Sequence, residues 1–89
     1  MFVGKVVGSI VSTRKNDKLI GSKFMIVESV MNGSTEKLVA VDNVGAGIGE
    51  IVLVATGSAA RLCGKASDAP IDAAIVGIVD DGVGLSVVV

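Results

Sequence analysis

Residues 41–61 read VDNVGAGIGEIVLVATGSAAR and gather most of the groups in this chain that could do chemistry. Gly45, Gly47 and Gly49 form a G-x-G-x-G run, with Asp42 and Glu50 on its flanks and Ser58 and Arg61 beyond. Such a loop can approach a phosphate closely, because glycine lacks a Cβ and tolerates positive φ. The dinucleotide fingerprint, however, is G-x-G-x-x-G at the opening of a helix, and the P-loop ends in Gly-Lys-Ser/Thr. Here the apolar run Ile51-Val52-Leu53-Val54-Ala55 follows instead, and Glu50 would repel an anion. Nucleophilic catalysis has no base, since Ser58 and Cys63 share the chain with no histidine. Asp42 and Glu50 are a carboxylate pair of the kind that does acid–base work. A site of that kind needs a concave pocket, which so small a chain is not expected to supply. The sequence therefore assigns no catalytic residue, no cofactor and no metal. Arg61 is read as the bidentate partner of a carboxylate, fixing the loop or an interface.

The elements that must position these groups are short strands. Residues 2–13 form the first, rich in β-branched Val3, Val6, Val7, Ile10 and Val11. Gly4 and Gly8 lie on one of its faces and mark a bend or a close backbone approach, as a small barrel requires. Residues 14–22 (RKNDKLIGS) read as a charged hairpin loop with Asn16-Asp17 at its tip. Residues 23–30 form the second strand, Asn32-Gly33-Ser34 a hairpin turn, and residues 36–41 the third strand. The fourth, residues 50–56, is continuously apolar, which predicts burial on both faces. Ser58 is suited to cap a helix of at most two turns that Gly64 ends. Residues 73–79 (AAIVGIV) form the fifth strand, Asp80-Asp81-Gly82 a turn, and residues 85–89 (LSVVV) an apolar terminal strand. The fold class this predicts is all-β: a small five-stranded β-barrel resembling the OB-fold, with one short helix and an extra C-terminal strand.

Composition sets the partners. Eighty-nine residues predict a single domain, 1–89. A chain of this size hides only about 60% of its unfolded surface, yet this one is 51% hydrophobic with a mean hydropathy of +0.75. The excess predicts an oligomer whose subunits complete one another's burial. No apolar run approaches the ~20 residues of a spanning helix, so no membrane is expected. The start, Met1-Phe2-Val3-Gly4-Lys5-Val6, lacks the basic and apolar regions of a signal peptide. A net charge of −1 with interspersed signs lacks the footprint of a nucleic-acid binder. Phe2 and Phe24 are the only aromatic residues on which bases could stack.

Four segments resemble a known family. They are MFVGKVVG at residues 1–8; VSTRK and LIGSK at 11–15 and 19–23; AVDNVGAGIGE, VLV and GSAAR between residues 40 and 61; and PIDAAIVGIVD at 70–80. Together they look like the EutN/CcmL family of bacterial microcompartment vertex proteins, the combination VD-x-VGAG-x-GE with GS-x-AR being the most specific. Ala59 departs from a second serine common in the GSSAR segment. The resemblance implies an OB-like barrel whose homopentamer caps the fivefold vertices of a protein shell in the bacterial cytoplasm. Hexameric shell proteins of the same compartment would surround it. The alternative left open is an OB-like barrel that binds single-stranded nucleic acid or a small ligand at the glycine loop.

On this reading Val44, Gly45, Ala46, Gly47, Ile48 and Gly49 are the candidate fivefold-axis loop, because their small side chains let copies converge. Asp42, Glu50, Ile51, Leu53, Arg61, Leu85, Val87 and Val89 are the candidate interface.

Overall fold

The structure is a computed structural model and describes residues 1–13, 15–30, 36–62 and 69–80. The expected Asn32-Gly33-Ser34 turn, Cys63, Gly64 and residues 81–89 lie outside them. Five strands close into a barrel: β1 (Phe2–Ile10), β2 (Lys23–Ser29), β3 (Lys37–Asp42), β4 (Ile51–Thr56) and β5 (Ala73–Val79). A short helix, α1 (Ser58–Leu62), follows β4. The order around the barrel is β1-β2-β3-β5-β4, closing back onto β1. All neighbouring pairs are antiparallel except β3 with β5, which run parallel through Val41 beside Ala74 and Asp42 beside Ile75.

Closure of so small a sheet needs sharp bending, and β1 supplies it. Its register against β2 shifts between Val6 and Gly8, so β1 bends midway and continues along the other half of the barrel. Gly4 lies between β2 and β4, paired with Ser29 and Val52, where a Cβ would run into the Cγ1 of Val27. A second irregularity lies in β5 opposite the Leu53–Val54 step.

Inside the barrel Val6, Val27, Val52, Val54 and Ile75 are fully buried. A second apolar cluster covers the outside of β3: Val41, Ala74, Ile71 and Ala69 pack with Ala60 of α1. The helix is thus a lid on one flank, entered through Gly57 at φ 68°.

Three expectations change. The first strand stops at Ile10 rather than Thr13, because its antiparallel partner β2 begins only at Lys23 and Ile10 already pairs with Phe24. The charged loop contains a 3-10 turn, Asp17–Leu19, where the Asn16 side chain accepts the Lys18 N–H at 2.9 Å. Within this chain β4 is fully sealed on its inner face, while on the outer face only Ala55 is buried. Val52 and Val54 are sealed while Ile51 and Leu53 are half-buried, since a closed barrel has one interior.

Candidate functional site: the glycine loop and the outer apolar face

The segment between β3 and β4 plugs one end of the barrel. Ala46 is 2% exposed and packs in the interior cluster, so the loop dips inward at its smallest side chain. Gly45 at φ 79° and Gly49 at φ 93° make the two reversals that bring the chain in and out again.

Two carboxylates hold this plug. Asp42 is buried at the end of β3. Its Oδ1 accepts the Val44 N–H at 3.0 Å and its Oδ2 the Ala46 N–H at 2.9 Å. The Lys23 ammonium, 3.8 Å from Oδ2, supplies a charged partner that sequence reasoning did not name. Glu50 reaches back so that its Oε1 accepts the Gly47 N–H at 2.6 Å. Backbone bonds tie the plug to β1: the Gly49 N–H donates to the Val6 carbonyl at 2.8 Å, and the Val6 N–H donates to the Glu50 carbonyl at 3.0 Å. The Glu50 N–H donates to Gly47 at 3.1 Å.

This wiring decides the chemistry. An anion cradle needs free N–H groups converging on one point. Here the N–H groups of Val44, Ala46, Gly47, Gly49 and Glu50 are already spent on protein oxygens, two of the acceptors being carboxylates. Among the described residues no group of His, Cys, Asp and Glu could hold a metal ion. No helix there is long and apolar enough to cross a membrane. Asp42 and Glu50 face backbone amides rather than a cleft.

The structure brings Asp42 and Glu50 together around the loop but leaves Arg61 apart. Arg61 lies half-buried on α1, and no ion pair within the described chain joins it to either carboxylate. Of the loop's side chains, Val44 (40% exposed) and Ile48 (67%) point outward, so each copy offers a small apolar tip beside its glycines.

Ile51 and Leu53 belong to a second feature, an apolar face on the outside of the barrel. Val3, Leu53 and Gly77 form one cross-strand row over β1, β4 and β5, and Lys5, Ile51 and Val79 form the next. The missing side chain of Gly77 is filled by Leu53, whose Cδ1 comes within 3.5 Å of where a Cβ would stand. Beside this row Met1, Phe2, Val3 and Leu53 line an open hollow of about 380 Å³. Sequence reasoning missed Val3, Gly77 and Val79, because membership of a row depends on strand order. It named Ala46 as a residue of the converging loop but missed that its side chain turns into the barrel interior, although an aspartate two and four residues before Val44 and Ala46 is the signature of a side chain that folds a loop onto itself.

Comparison with known proteins identifies the family of the chain. The profile of the family described as "Ethanolamine utilisation protein EutN/carboxysome" matches residues 1–80. The bacterial microcompartment shell vertex protein GrpN of Rhodospirillum rubrum is 49% identical over 85 residues, covering 90% of this chain and 93% of that protein. Its solved structure, described as a pentameric microcompartment shell protein, superposes with a TM-score of 0.78. The shell vertex protein PduN of Salmonella typhimurium is 42% identical over 90% of this chain and 96% of its own length. A solved ethanolamine utilization protein, EutN, reaches a TM-score of 0.85 at 40% identity, over 90% of this chain and 86% of that one.

Proposed function

The chain belongs to the EutN/CcmL family, and on that premise we propose that five copies close into a ring that caps the fivefold vertices of a bacterial microcompartment shell. The observation that carries this reading is the likeness to GrpN over nine-tenths of the chain, that relative being a shell vertex protein of pentameric structure. The protein is structural rather than catalytic, sits in the shell within the bacterial cytoplasm, and meets hexameric shell proteins of the surrounding facets. Residues 1–89 act as one barrel domain.

The geometry supports a cyclic assembly in its own right. A ring needs a heterologous contact, one face of a subunit against a different face of the next. The Val3–Leu53–Gly77 row is an apolar face that is left only half-buried in the single chain. The loop with Val44 and Ile48 at its tips is the segment placed nearest the axis, where its glycines let copies converge. Arg61 is assigned a carboxylate of the adjoining subunit. Nucleic-acid binding finds little support: the two aromatic residues are both half-buried and pack on separate clusters, Phe2 on the barrel interior and Phe24 on the cluster under α1, so they form no shared stacking platform.

Native mass spectrometry tests the reading. A species of five chain masses is expected. A monomer or another ring size overturns it. Tight, salt-sensitive retention of single-stranded DNA on a filter would favour the nucleic-acid reading instead.

A further inference from the structure

β3 has an open edge. Its six residues all pair with β2, but on the other side β5 pairs only with Val41 and Asp42. Among the described residues, 37–40 have no strand on that side. An exposed strand edge is a template for another strand. Beside this edge runs an open groove of about 460 Å³, lined by Leu38, Val39, Thr56, Gly57, Asp72 and Ala73. Val39 is 47% exposed there, although it is a β-branched residue in the middle of a strand. The groove occupies the place where β5 would continue upstream beside β3, had the chain not turned away at Asp72.

We propose that the segment Leu85-Ser86-Val87-Val88-Val89 of one copy adds as a strand to this β3 edge of a neighbouring copy, with its apolar side chains in the groove. The proposal rests on the ring reading above and names a contact within it. The segment suits the site in three respects. It carries no charged side chain, and the groove holds one charged residue, Asp72. It is rich in valine, which favours the extended backbone that edge addition requires. It alternates Leu85, Val87 and Val89 on one face, so one row of apolar side chains can enter the groove while the main chain bonds to β3.

Reach assigns the donor to another copy. The parallel register sets Val39 level with Asp72, so Asp80 lies about eight residues further along the barrel, roughly 26 Å at 3.3 Å per residue. From Asp80, Leu85 is five residues on and reaches at most about 18 Å. Val89, nine residues on, reaches about 32 Å, so a chain can touch its own β3 edge with its last residues but cannot lay the whole of Leu85 to Val89 along it. A neighbour can, and each copy then gives a strand to one side and receives one from the other, which is the head-to-tail relation of a ring.

Paired cysteine variants test this. All carry Cys63→Ser. One chain has Val39→Cys; its co-expressed partner has a single cysteine substituted in turn at Leu85, Ser86, Val87, Val88 or Val89, and the two carry different affinity tags. After mild oxidation of the purified assembly, at least one position is expected to give a disulfide-linked pair holding both tags on a non-reducing gel. Intact rings by native mass with no mixed pair at any of the five positions overturn the proposal and leave the ring standing. Absence of rings in the unsubstituted chain overturns the ring reading itself. A chain carrying both Val39→Cys and Ser86→Cys that closes an internal disulfide as an isolated monomer also overturns the proposal.

Discussion

Replacing Gly4 by alanine should be the most damaging single-methyl change in the barrel. Gly4 is buried between β2 and β4, and a Cβ there would meet the Val27 Cγ1 well inside contact distance. It would also lie 3.0 Å from the Glu28 carbonyl oxygen and 3.2 Å from the Phe2 ring. None of these can retreat easily: Val27 is fully buried in the interior cluster, and the Glu28 carbonyl belongs to a strand paired on both sides. Alanine restricts the unfolded chain, a gain of about 0.4–1 kcal/mol where the site accepts it. Overpacking costs about 1–3 kcal/mol, and contact with backbone as well as side chain puts this site at the upper end. The net expectation is a loss of about 2 kcal/mol, or roughly 8–16 °C in Tm for a domain of this size. The assay is thermal unfolding at one fixed protein concentration, since assembly makes Tm depend on concentration. Gly8→Ala is the control. Its added methyl would meet only the flexible end of Ile26, at 3.3 Å, and should change stability by less than about 0.5 kcal/mol. The double variant Gly4→Ala/Val27→Ala removes the clashing Cγ1, though not the Glu28 carbonyl or the Phe2 ring, and should lose clearly less than the sum of the two single changes, a non-additive result. If Gly4→Ala is as harmless as Gly8→Ala, or if the double variant is additive, the close-approach reasoning is wrong.

Other expectations concern the loop and the outer face. Asp42→Ala strands the N–H groups of Val44 and Ala46, for a loss of about 2–5 kcal/mol in urea unfolding. Asp42→Asn should fall within about 1 kcal/mol of the alanine variant, because its single carbonyl oxygen serves one N–H while its amide confronts the other; an asparagine variant as stable as the parent refutes the two-oxygen account. Gly47 has an ordinary φ, and a Cβ there would meet only the Glu50 Oε1 at 3.3 Å. Gly47→Leu is therefore expected to fold with a change under about 1 kcal/mol yet to disturb ring closure by native mass, and normal rings would remove the loop from the axis. Leu53→Lys should leave the circular dichroism of the folded chain intact and abolish rings, whereas intact rings would place the subunit contact elsewhere.

Much of this protein was legible in its residues, because strand and turn signals are local. β-Branched runs between turn residues marked all five strands, β5 to its exact ends at Ala73 and Val79, and Ser58 marked the start of α1. Gly4 was readable as a site of close approach, since few other reasons keep glycine in a valine-rich strand. The VDNVGAGIGE and GSAAR segments carried the family. Tertiary structure decided the rest, because it depends on closure and register. Periodicity could not say that β4 hides Val52 and Val54 while leaving Ile51 and Leu53 half-buried, since an unbroken apolar run has no intrinsic inside. It could not order the strands, so the row of Val3, Leu53 and Gly77 and the short pairing of β3 with β5 had no sequence signal. Nor could it show that the glycine loop turns Ala46 into the barrel, with Asp42 holding it between two backbone amides and Lys23. Local preference acts between residues a few positions apart, whereas these contacts join residues brought together only when the sheet bends round and closes.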